Sequence, residues 1–444
     1  MAASVGFAAA VALAACAVDE DGVPGPGPGP GREAPQGRDR AGNLAPVDWI
    51  DRVGFRMPTN EVVLDVGVAP FFQARPFDGS GPTQRILLTW SEPGGGTLHA
   101  GLLSADGRLV RLSSIQRATP AAPAYAIGGP PGQRRIFVAW IESNPWRLLS
   151  VVLDTEGRMT ATRAIASAVA IGRLRMAGTP TGAVIGFAWS DDPAAPNMWD
   201  PWTVTLDLAG APQAPVRIAN AVGQATDVGV AAGPDGDYAV LFRDSGPRVT
   251  FLRRFDAAGR ALEAPLSLGA ASGGDTLAQV VALDGSQRHA LIIGLPTGTG
   301  DLRMLSAPLT AAAPSELGSL GSVIPDMVST TFAWPVSSLH VTTTVVGGQP
   351  TVLIGLRRVL ERDPNYIGCL EAPPIHAEYQ VQAVSLAPLR ALGSATVLDW
   401  RRLTATEQAP DWLQIVPNPD GVSAGVLWLD DGLHLQTVAL RSGT

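Results

Sequence analysis

A chain of 444 residues with a formal net charge of −8, 46% hydrophobic and only 16% charged residues, holds either one large all-β domain or two to three smaller ones. The acidic balance, with no basic stripe anywhere, excludes nucleic acid as the main partner and fits cations, neutral sugars or proteins better. Fifty glycines and 38 prolines suit many short strands joined by tight turns, while two cysteines, Cys16 and Cys369, are too few for a disulfide framework.

The chain begins with an apolar, alanine-rich run from Val5 to Ala15, too short to cross a bilayer as a helix. It ends in Leu13-Ala14-Ala15-Cys16, which resembles the lipobox of bacterial lipoproteins. That resemblance implies a signal peptide over residues 1–15 and a lipidated Cys16 at the new amino terminus. Met1 to Phe7 carries no Arg or Lys, a departure from the usual positive leader. Residues 16–45 then read as a disordered tether, with Asp19-Glu20-Asp21 followed by the Pro-Gly alternation from Pro24 to Gly31. A tether of this kind holds a globular body away from a membrane. Ordered structure is expected over 46–444 as one domain.

Beyond the tether the chain repeats itself. An apolar run closing on Trp, often followed by an acid, recurs at Trp90, Trp140, Trp189, Phe242 (as a substitute) and Trp428. The first four lie 50, 49 and 53 residues apart. Weaker copies at Ala290–Gly294 and Thr351–Leu356 bring the anchors to seven. A second marker, Asp-x-x-Gly or Asp-Gly, trails the first at Gly107, Gly157, Gly210 and Gly259, spaced 50, 53 and 49 residues. Asp caps such a turn with its side chain and Gly takes the positive φ that closes it, so the marker reads as a hairpin. The Trp-bearing runs are apolar throughout, as strands covered on both faces should be.

Units of about 50 residues with about four strands each resemble β-propeller blades. The likeness is to the diverged repeat arrays of secreted bacterial lipoproteins; WD40, kelch and sialidase blade signatures are absent. It implies an all-β propeller, with seven four-stranded blades expected and six or eight as alternatives. The last blade, ending on Leu433–Leu440, is one strand short. A segment within Val47–Val66 is therefore expected to supply its outer strand and close the ring.

In such a blade the loops after each Trp share one rim. This places Glu92, Glu142, Asp191, Asp192, Asp244, Asp430 and Asp431 together as an acidic face. The turns at Arg108, Arg158 and Arg260 then mark an opposite, more basic face. Repetition favours a structural role for these acids; the alternative is a cation or polar ligand held by converging carboxylates. Two departures from the repeat are better binding candidates. The long loop after Asp192 carries Trp199 and Trp202, aromatic faces beside carboxylates that suit sugar or peptide stacking, or else the start of the next strand. The second departure, between Leu356 and Ala383, carries Tyr366, Cys369, Glu371 and His376.

No catalytic constellation, metal-ligand spacing among the five histidines, phosphate loop or cofactor motif is present in the sequence. The expected protein is a monomeric, non-catalytic binding or scaffold lipoprotein of the bacterial cell envelope. Its lipid would sit in the outer membrane or at the cell surface, the domain facing periplasm or exterior. Its ligand would be a glycan, a peptide or a protein partner on the acidic rim, through Glu142, Asp191, Asp192, Trp199, Trp202, Tyr366, Glu371 and His376. A glycan hydrolase or lyase working through channel carboxylates is the competing expectation.

Overall fold

The computed structural model describes residues 55–56, 61–64 and most of 71–440; the stretches of six or more left out of that range are 79–84, 117–122, 271–278, 283–288, 320–339, 365–373 and 403–412. The signal peptide, the tether and Cys16 fall outside the described residues, as do Glu92, Arg108, Asp191, Tyr366, Cys369, Glu371, Asp430 and Asp431.

Every regular element among the described residues is a β-strand, and the strands form seven antiparallel sheets in chain order, making a β-propeller. Six sheets are four-stranded meanders in which each strand pairs with the next. Sheet 2 is typical, with strands Ala124–Gly128, Arg135–Glu142, Trp146–Leu153 and Arg163–Ala168. Sheet 7 takes three strands from the end of the chain, Leu413–Pro417, Ser423–Leu429 and Leu433–Leu440. Phe55–Arg56 and Glu61–Leu64 both pair antiparallel with the last of these.

All seven repeat anchors fall on second strands. Trp90, Trp140, Phe242 and Trp428 are sealed, with 2% exposure or less. Phe242 stacks on Phe251 of the neighbouring strand at 5.2 Å. The reason is that a second strand is sandwiched between two sheets. Continuous apolar clusters join sheets 1 and 2, 2 and 3, 3 and 4, 4 and 5, and 6 and 7. Each buried Trp or Phe contributes roughly 2–3 kcal/mol by leaving water.

First strands meet at the centre of the ring. From sheet 2 to sheet 7 each packs against the next, and that of sheet 7 packs against Phe71–Asp78 of sheet 1. The Ala74 amide donates to Gln414 Oε1 at 2.6 Å across that last seam. Between sheets 2 and 3 the backbones come so close that a Cβ on Gly178 would lie 1.8 Å from the Ile127 carbonyl oxygen. There the Gly129 amide reaches the Thr179 carbonyl at 2.8 Å.

The second marker forms the expected turn between third and fourth strands. Gly157, Gly210 and Gly259 have φ of 80°, 75° and 76°. In each turn one Asp oxygen accepts two backbone amides, as Asp154 does from Glu156 at 3.0 Å and Arg158 at 2.8 Å. Asp207 and Asp256 repeat the pattern.

Candidate functional site

A meander places the loop between second and third strands at one end of its sheet and the turn between third and fourth strands at the other. Glu142 and Asp244 therefore lie at the opposite end from the turns of Asp154 and Asp256 in their own sheets. Among the described residues the turn arginines bring no basic face. Arg158 pairs with Asp154 at 2.6 Å and Glu156 at 3.0 Å, and Arg260 pairs with Asp256 at 2.8 Å. The arginine that marks each turn thus neutralises the acid that caps it, and no basic face results from these two.

The acids at the other end are similarly engaged. Glu142 accepts from Arg147 at 2.7 Å and from the Trp140 indole at 3.4 Å. Asp244, only 3% exposed, accepts the amides of Gly223 and Gly246 at 2.9 and 3.0 Å, fastening the connector from sheet 3 onto sheet 4. Asp192 is exposed and accepts the Ala194 amide at 2.8 Å, which shapes its own loop. Asp200 pairs with Arg217. Among the described residues no group of three acids, histidines or cysteines could hold a metal ion.

The two loop tryptophans part company. Trp202 lies in strand Asp200–Asp207 and meets Trp189 at 4.5 Å between ring centroids, in the cluster shared with sheet 2. Trp199 precedes that strand and packs in the cluster shared with sheet 4, its ring filling the space a side chain at Gly172 would need. All three indoles are half-buried. They occupy two seams rather than one shared platform.

Sheet 6 differs from its siblings. Strands Gln349–Arg362, Pro374–Leu386 and Leu389–Arg401 run 14, 13 and 13 residues, while the first strand, His340–Val346, pairs only as far as Gly355. The three long strands therefore continue past the inner strand. From Pro374 to Ala383 the second of these alternates strictly. Ile375, Ala377, Tyr379, Val381 and Ala383 are buried, the last four against sheet 7. His376, Glu378, Gln380 and Gln382 project to the other face and are half-buried.

These polar side chains form a ladder. Gln382 Nε2 donates to Gln380 Oε1 at 3.1 Å, and Gln380 Nε2 donates to Glu378 Oε2 at 3.3 Å. His376 Nε2 lies 2.6 Å from Asp399 Oδ1 on the adjoining strand. At the tip of the extension Arg402 pairs with Asp363. Of the sequence candidates the structure brings His376 into this strip. Asp399, Gln380 and Gln382 escaped the sequence reading, although the alternation from Ile375 to Ala383 was visible there.

No family model matches the chain, and no curated protein matches it in sequence. Solved structures with similar folds include the Kuenenia stuttgartiensis hydrazine synthase, at 11% identity and a TM-score of 0.47, covering 86% of this chain and 98% of that one. A fungal alcohol oxidase in complex with copper, of the AA5 family, has 14% identity and a TM-score of 0.47, over 87% and 76% of the two chains. The Aleuria aurantia lectin, described as a six-bladed β-propeller, has 11% identity and a TM-score of 0.44, over 78% and 98%. Likenesses this distant carry no functional argument, and the assignment of this chain to the β-propellers rests on its own strand pairing.

Proposed function

We propose that this propeller is a non-catalytic binding protein whose ligand is a neutral, hydroxyl-rich molecule of the glycan class, recognised on the polar strip of sheet 6. The observation that carries the reading is the ladder of Gln382, Gln380 and Glu378. Its hydrogen bonds leave one N–H on each glutamine, the Gln382 carbonyl oxygen and the second Glu378 oxygen without a partner among the described residues. Alternating donors and acceptors fixed by their neighbours are what vicinal hydroxyls require. The competing hydrolase reading relied on Glu142, Asp191 and Asp192, and Glu142 and Asp192 are engaged in holding their own loops. A glycan array probed with the intact chain tests the proposal. Hits that lose at least tenfold in affinity in the Gln380→Ala/Gln382→Ala double variant support it, and an array without hits, or hits indifferent to the change, refutes it.

We further propose that the seven sheets are seven blades of one ring and that the N-terminal strands close it, the pairing of Glu61–Leu64 with Leu433–Gln436 supporting this. Deleting residues 46–66 then leaves the Leu433–Leu440 edge bare and the chain readily unfolded. Unchanged thermal unfolding after the deletion contradicts closure. The reading is completed by the lipid: Cys16 would tether the ring to a bacterial envelope membrane. Incorporation of labelled fatty acid that vanishes in Cys16→Ser tests that part.

A further inference from the structure

The ring's centre carries chemistry that the rim does not. Arg75 lies on the first strand of sheet 1, exposed, with its guanidinium 5.2 Å above the Tyr125 ring of sheet 2. No carboxylate pairs with that guanidinium among the described residues; its charge and a side-chain hydrogen bond act on Tyr125. His340 opens the first strand of sheet 6, and its Nδ1 accepts the Ile415 amide of sheet 7 at 3.1 Å. An acceptor Nδ1 puts the proton on Nε2, which leaves an N–H donor without a partner among the described residues. Burial first, and the nearby charge of Arg75 second, push the imidazole down to about 4, so it is a neutral donor near pH 7.

The two groups are linked around one arc of the channel. His340 is fastened to Ile415, and Gln414 beside it accepts the Ala74 amide next to Arg75. Sheets 6, 7, 1 and 2 thus each contribute a first strand to the same short stretch of wall. Across all seven first strands the sequence places Arg75, Arg173 and Arg175 against two acids, Asp78 and Asp227. In a chain of net charge −8 the first strands are richer in arginine than in acid, and Arg75 stands outside the ion pairs that engage the turn arginines among the described residues.

We infer that the channel binds a small carboxylate-bearing ligand, with the Arg75 guanidinium as the charged fork and the His340 Nε2–H as a neutral second donor. A planar guanidinium matches a carboxylate bidentately, and its seat on the Tyr125 ring pre-orients it. This site is separate from the strip on sheet 6, and either can fail without the other.

The test titrates the full chain with acetate, using acetamide as the uncharged isostere, read by amide and guanidinium nitrogen–proton NMR shifts. Saturable acetate shifts at Arg75, no response to acetamide, and at least a tenfold weakening in Arg75→Gln are expected. Weakening of acetate as ionic strength rises from about 0.01 M to about 1 M, over which the Debye length falls from about 30 Å to about 3 Å, supports the same conclusion without any variant. Equal response to acetate and acetamide, no response to acetate, indifference to salt, or undiminished binding in a folded Arg75→Gln overturns the proposal, as does tighter binding of inorganic phosphate than of acetate.

Discussion

Sheets 4 and 6 occupy equivalent places in the ring and treat their polar groups in opposite ways. In sheet 4 Arg253, Arg254, Asp244 and Asp256 secure the architecture, while the buried Arg243 Nε has no hydrogen-bond partner among the described residues. Arg254, 1% exposed, donates to both oxygens of Glu263, including Nη2 to Oε2 at 2.6 Å, and to the Pro308 carbonyl of sheet 5 at 2.7 Å. Arg253 ties strand three to the Glu263 carbonyl at 2.9 Å and to that of Ile218 on the preceding connector. Asp244 and Asp256 hold the two ends. Sheet 6 instead projects past its inner strand and keeps a row of half-buried amides and carboxylates partly unsatisfied. Regular repeats use polarity to fix geometry, and on the proposed reading the irregular one offers it to a ligand.

The contrast breaks most visibly at Arg254. Truncation to Ala leaves Glu263 without its partner in a mostly enclosed setting, and a loss of about 3 kcal/mol in chemical denaturation is expected. A loss below about 1 kcal/mol would mean that sheet 4 does not depend on its polar links. Gly178→Ala comes next. Its added methyl meets the Ile127 carbonyl, and the seam between sheets 2 and 3 must open, at a cost on the order of 2 kcal/mol by overpacking.

Acid gives a comparable effect. With His340 held at about 4 against an ordinary value near 6.5, the unfolded chain takes up a proton that the folded chain refuses. Stability is therefore full above about pH 6.5, falls as pH drops toward 4, and levels off below, by on the order of 3 kcal/mol. Denaturation curves of the native chain and of His340→Gln should diverge in slope only within that window. The smallest effect is expected in sheet 6, where Gln380→Ala/Gln382→Ala should shift stability by less than about 1 kcal/mol, because each amide loses only a partly wet hydrogen bond.

Much of the fold could be read from the chain because the repeat has two independent physical causes. Second strands enclosed on both faces must be apolar and end on a large ring, and tight turns need Asp and a positive-φ Gly. The pairing of Arg158 and Arg260 with their own turn acids is invisible to a count that treats acids and arginines separately. Asp154 and Arg158, four residues apart, already hinted that they neutralise each other. Gln380 and Gln382 were passed over because neutral amides stand out less than charges, despite their strict alternation with buried residues. Arg75 and His340 left no local pattern at all. They are far apart in the chain and share one arc only because the first strands of sheets 6, 7, 1 and 2 stand side by side.

The division of labour between regular and irregular sheets is tested most directly by hydrogen–deuterium exchange of the intact chain, with and without a saturating glycan from the array. The account predicts ligand-induced protection concentrated in Gln349–Arg362, Pro374–Leu386 and Leu389–Arg401, with sheet 4 unchanged. Protection spread evenly over all sheets, or centred on sheets 2 to 4, would contradict it.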